Sequence, residues 1–243
     1  MTDIKEGLYR LFSIIGILLS SINIFAQTHG CPDPLAVNYN PSAIINDGSC
    51  YYNESSVIPS ETDILDSSLN ESSGLLIWND LLWTHNDSED LNIYALEFTG
   101  GIIKEKYPLT GSVNTDWEEI TQDDEFFYIG DFGNNSSSNR TDLKVLRTRK
   151  NSITANTPEI DEIRFSYSDQ TDFQIADSNS NDFDCEAFII SNDSIYLFTK
   201  QWTSKKTSVY ALPKTPGTYV AKKRYTYNVE GLITGATYLQ SKQ

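Results

Sequence analysis

The sequence predicts an all-β fold: a β-propeller of four-stranded antiparallel blades behind a small N-terminal disulfide module. Three observations lead there. From residue 70 onward, short apolar runs alternate with Asn, Asp and Gly turns, and no long stretch shows the 3.6-residue period of a helix. A hairpin followed by a third and usually a fourth strand recurs along this part of the chain. Upstream, Cys31 and Cys50 bracket a segment with almost no room for a core.

The chain has 243 residues, with Lys+Arg 18 against Asp+Glu 34 and a formal charge of −16. Hydrophobic residues at 39% and aromatics at 12% exclude a disordered tail. The acidity argues against nucleic acid and anionic lipid, whose recognition needs a basic surface, and favours cations. Lys5 and Arg10 precede an apolar run over residues 11–24 that ends in Phe25-Ala26. Residues 1–26 therefore read as a signal peptide cleaved before Gln27. A membrane anchor is the alternative, but the run is short and carries Ser13, Ser20, Ser21 and Asn23. No membrane span is expected in the mature chain, which is then secreted or on the cell surface.

Export fixes the redox setting. Of the 3 cysteines, two pair and one is left over. Cys31 and Cys50 are close enough to close a small loop. Cys185 lies in an apolar strand start and is expected free and buried, not as a reactive thiol. Residues 27–52 form the small module. Asp33, Asn38, Asn40, Asn46 and Asp47 offer hard oxygens, and Asp47-Gly48 offers a tight turn. A calcium site or a plain disulfide loop both fit that composition. The segment resembles the GC-DP-A-NYNP-A---DGSC-Y repeat of bacterial secreted and surface proteins, and is thrombospondin type 3-like. Cys31, Asp33, Pro34, Ala36, Asn38, Tyr39, Asn40, Pro41, Ala43, Asp47, Gly48, Ser49, Cys50 and Tyr51 match it. The resemblance implies a display module. Residues 53–69 are polar and read as a linker.

Residues 70–243 are the expected propeller. The first blade reads as a hairpin over 75–83 turning at Asn79-Asp80, then strands at 92–96 and 102–107. The second has strands at 120–121, 126–129, 143–147 and 162–167, and the third at 188–190, 195–198, 208–212 and 219–225. Residues 169–181 are a polar insertion. Residues 233–236 begin a fourth blade, so the expectation is an incomplete propeller of three blades and a start, part of a longer chain.

The repeat aligns acids. Glu71, Asp116 and Asp184 share one register position, and Glu118 and Glu186 stand two residues later. Opening strands line a propeller's axis, so such carboxylates converge. Crowded like charges need a cation or a proton, and oxygen donors favour Ca²⁺. The loops after second strands add Asp87, in the stretch Thr84 to Ser88, and Asp131, in the stretch Gly130 to Asn135. The same acids read equally as turn caps, and Gly133-Asn134-Asn135 as a turn. Trp78, Trp83, Trp117 and Trp202 read as packing residues. His85 beside Asn86-Asp87 is a general-base candidate, but no nucleophile elbow accompanies it.

The stretches ESSGL…LWTHND, DWEEI…FYIGDFGNN…R and DCEAF…IYLFTK…VYALP resemble secreted bacterial β-propellers of the phytase-like and SdiA-regulated groups. The resemblance implies calcium ligands at Glu71, Asp87, Asp116, Glu118, Asp131 and Glu186, with Lys200 and Arg140 as anion partners. It lacks the dense Lys/Arg cluster of a phytase. The expectation is thus a calcium-stabilised binding or interaction propeller, monomeric, with an extracellular ligand. The alternative is a metal-dependent phosphoesterase or esterase.

Overall fold

The computed structural model describes residues 28–238 apart from 57 and 61; the expected signal peptide lies outside the described residues. The chain divides into two compact units, Met1–Pro59 and Ser60–Gln243.

In the first unit, β1 (His29–Gly30) pairs in parallel with β2 (Ile45–Asn46). A Cys31–Cys50 disulfide closes the loop, with Cα atoms 4.8 Å apart. Asn38 locks the far end: its Nδ2 donates to the Ser49 carbonyl (2.6 Å) and its Oδ1 accepts from the Tyr51 N–H (3.1 Å). The remaining hard oxygens close turns on their own backbone. Asp33 Oδ1 accepts from Leu35 N–H, Asn40 Oδ1 from Ser42, Asn46 Oδ1 from Gly48 and Asp47 Oδ1 from Ser49.

The second unit is nearly all β, built of three consecutive four-stranded meanders. The first is β3 (Ser72–Trp78), β4 (Leu81–Asn86), β5 (Asn92–Leu96) and β6 (Ile103–Pro108). Asn79 and Asp80 take φ of 55° and 60°, the left-handed pair that a two-residue hairpin of the right twist requires. The second meander is β7 (Trp117–Gln122), β8 (Phe126–Asp131), β9 (Lys144–Arg149) and β10 (Ile160–Tyr167). A short helix α1 (Lys150–Thr154) follows β9. The third is β11 (Asp184–Ser191), β12 (Ser194–Lys200), β13 (Thr207–Pro213) and β14 (Gly217–Tyr227).

The second and third meanders are not separate sheets, as independent blades would be. β14 is 11 residues long. Its first half, Gly217 to Ala221, runs parallel to β10, and its second half pairs antiparallel with β13. One eight-stranded sheet results, in the order β11-β12-β13-β14-β10-β9-β8-β7. Its terminal strands, β7 and β11, lie against each other, so the sheet nearly closes, and β7 also lies against β3.

Cores fill the spaces between meanders. Leu76, Trp83, Ile93, Trp117, Phe127 and Ile129 pack the first against the second. Phe132, Phe165, Tyr167, Phe188, Leu197 and Tyr210 pack the second against the third. Burying each of these large side chains stabilises by roughly 1.5–3 kcal/mol. Trp78 and Trp83 stand 5.3 Å apart beside Phe127. Residues 63–69, within the stretch read as linker, lie on the first meander. Asp63 accepts from Gly100 N–H (3.0 Å), Asp66 caps a 3-10 turn, and Leu69 is buried against Tyr94 and Leu96.

Candidate functional site

The opening strands β7 and β11 each carry a β-bulge at the same place. Trp117 pairs with Asp131 and Glu119 with Gly130, which leaves Glu118 unpaired. Cys185 pairs with Thr199 and Ala187 with Phe198, which leaves Glu186 unpaired. A bulge turns the extra side chain out of the pleat. Ligand oxygens of Glu118, Asp184 and Glu186 all lie within 4.8 Å of one another. At the matching sequence position of β3 stands Ser73, which stays paired with His85 because the β3 bulge falls at Gly74 and Leu75, and its hydroxyl donates to the Glu118 carbonyl (2.6 Å).

Two loops hold Asp184 from both sides. Asn134 N–H donates to its Oδ1 and the Trp202 indole N–H to its Oδ2, each at 2.7 Å. Asn181 ties those loops together: its Nδ2 donates to the Asn134 carbonyl (2.8 Å), and its carbonyl accepts from Trp202 N–H (3.1 Å). Residues of the polar insertion lie over this loop, with Ala176 N–H on the Ser137 carbonyl and Asn179 N–H on the Asn135 carbonyl. Gly133 passes so close beneath the acids that a Cβ there would collide with the carboxylate ends of Asp116 and Glu118.

Burial and the charges of neighbouring acids raise Glu118, Asp184 and Asp116. Burial pushes Glu118 well above the carboxylate range, and the charges of Glu186, Asp116 and Asp184 push it further. Asp184 is raised by burial against the opposing Asn134 N–H, with Glu186 adding to the rise. Asp116 is raised by burial, which outweighs the Arg140 charge. Lys200 Nζ lies 2.8 Å from Glu186 Oε1 and 4.5 Å from the centroid of a Trp202 ring.

Of the six residues named from the sequence, Glu118 and Glu186 meet, and Asp116 flanks them. The other three do not join the cluster. Asp131 is fully buried and neutralised: Lys144 Nζ lies at 2.6 Å and Arg140 Nη2 at 2.8 Å. Glu71 is exposed and accepts from the Ser88 hydroxyl (2.9 Å). Asp87 is raised by burial and by Glu71, and faces Asp116 from the first meander without reaching the trio. Arg140 also binds Asp142 and the Gly133 carbonyl, so it buttresses the loop beneath the acids and is not free for an anion.

Asp184 is the member of the cluster missing from the sequence-derived set, although its register identity with Asp116 pointed to it. Glu119 was missed altogether. Its carboxyl is pushed up to about 7 by burial, against the backbone N–H groups of Ile120, Leu75 and Ala236. His85 is fully buried edge-on to Trp117, 5.6 Å between ring centroids, and burial lowers it to about 4. It is a neutral packing residue. Trp202 differs from the other tryptophans in holding Asp184. Cys185 is free and buried, its thiol pushed up by burial. A cavity of about 1050 Å³ lies apart from the cluster, walled by Leu75, Gln122, Asp123, Arg147 and Lys214.

No family model matches the chain, and no curated protein matches it. Among solved structures, one described as "Structure of RS223-Beta-xylosidase" is similar over 66% of this chain and 58% of that chain. The identity is 13% and the TM-score 0.40. The chain thus spans less than two thirds of that neighbour.

Proposed function

We propose that this chain is a calcium-stabilised β-propeller, secreted or on the cell surface, that acts as a binding module displayed on its disulfide loop. In this reading the three meanders serve as blades, the second and third joined through β14, and the opening strands β3, β7 and β11 lie side by side along the axis. The observation that carries the cation is the convergence of Glu118, Asp184 and Glu186 within 4.8 Å. Three carboxylates so close repel one another unless a cation or a proton compensates them, and a hard divalent ion suits an all-oxygen donor set. At that site the ion would join β7 to β11, the two ends of the eight-stranded sheet. Both side chains named for an anion are engaged, Arg140 with Asp131 and Lys200 with Glu186. This favours binding over phosphate-ester hydrolysis.

The test is thermal melting of the chelator-stripped protein with and without Ca²⁺, beside Glu118→Gln and Asp184→Asn. Calcium is expected to raise the melting point of the wild type and not of the variants. A melting point indifferent to both calcium and chelator defeats the proposal.

A further inference from the structure

We propose that Lys200 is a tethered cation seated on the carboxylate cluster, which an entering divalent ion must displace; this rests on the cation-binding reading above. Lys200 ends β12 and is the direct cross-strand partner of Asp184. Its Nζ contacts the other β11 acid, Glu186, at Oε1 (2.8 Å). The two side chains are only 13% and 10% exposed, so water screens the pair weakly. The cluster is thus seen to hold a cation, the chain's own.

The nearby alternatives are spent. Arg140 and Lys144 are bound to Asp131, one layer below. A divalent ion coordinated by Glu186 would stand within a few ångströms of the ammonium, and like charges at that range in a weakly solvated site repel strongly. Occupancy by the ion and by Lys200 is therefore mutually exclusive at Glu186. The Trp202 ring already lies 4.5 Å from Nζ, so an ammonium pushed off Glu186 can keep that contact. The four-carbon stem of lysine allows the swing. Calcium entry is then an exchange of one cation for another, and its affinity is set by how firmly Lys200 holds.

Calcium titration calorimetry on the chelator-stripped full chain tests this with Lys200→Met. The variant is expected to bind at least about 10-fold more tightly than wild type, and Glu118→Gln to abolish binding. Lys200→Gln is expected to behave alike and serves if the Met variant folds poorly. Binding seen only in the Lys200 variants also supports displacement. Wild-type binding with equal or weaker binding by both variants overturns the displacement and leaves the cation site standing. No binding by any of the proteins overturns both. In the unsubstituted chain, amine labelling at Lys200, read by peptide mass spectrometry, is expected to quicken on adding calcium. An unchanged rate in a protein that binds calcium overturns the proposal.

Discussion

Asp131→Asn separates a structural carboxylate from a ligand. Asp131 is fully buried and receives Lys144 Nζ at 2.6 Å, Arg140 Nη2 at 2.8 Å and Asp116 N–H at 3.2 Å. Asparagine keeps the shape and one acceptor but removes the charge. Arg140 retains Asp142 (3.0 Å) and the Gly133 carbonyl, so the orphan is Lys144, itself only 6% exposed. Stranding one buried partner of an ion pair costs about 3–5 kcal/mol. With a urea slope near 2 kcal/mol per molar, the unfolding midpoint falls by roughly 2 M. Asp131→Asn/Lys144→Met removes the orphan and is expected to recover most of the loss. The loss should be the same with calcium or with chelator. A deficit under about 1 kcal/mol, a double variant no better than the single, or a deficit that vanishes in chelator would refute this account.

Two further outcomes follow from the same geometry. Gly74 has φ +65°, and a Cβ there would stand 2.6 Å from the Ile120 nitrogen, a backbone atom that cannot yield. Gly74→Ala should therefore cost about 2–4 kcal/mol and lower the melting point by roughly 5–15 °C. Gly133→Ala meets only movable carboxylate ends and should cost less stability; equal melting losses would contradict this. Glu119, raised to about 7 chiefly by burial, makes stability pH-dependent. Below pH 4 it is neutral folded and unfolded. As pH climbs toward 7 the unfolded chain ionises first and binds fewer protons, so stability falls across that window. In chelator, Glu119→Gln should shrink the wild-type difference between pH 5 and pH 8 by roughly 2–3 kcal/mol, measured as urea midpoints. An undiminished difference would contradict it.

Strands were the legible part of the sequence, because local pattern and turn chemistry set them. Asn92 to Leu96 reads as a strand and is β5, and Asn79-Asp80 reads as the turn that it forms. The partner switch of β14 was not legible. Its charged run Lys222, Lys223 and Arg224 says nothing about which neighbour the first half joins. The shared register of Asp116 and Asp184 could be read, but not which carboxylates converge. That depends on bulges at Glu118 and Glu186, which leave no mark in composition. Asp131 looked like a ligand in isolation. Its neutraliser, Lys144, is 13 residues on and stands opposite it only once β8 and β9 are in register.

The recurring bulge also bears on how such a surface can change. The second and third repeats each present one side chain at a bulge of the opening strand, Glu118 and Glu186, whereas Ser73 of the first stays paired with His85. The bulged residue is unpaired in the ladder of the second and third repeats. Its identity can be exchanged without disturbing a rung of the eight-stranded sheet. Two copies of one bulge therefore give two separately adjustable contributions to a common centre. The pair of acids found there is one setting among many that the same backbone could carry.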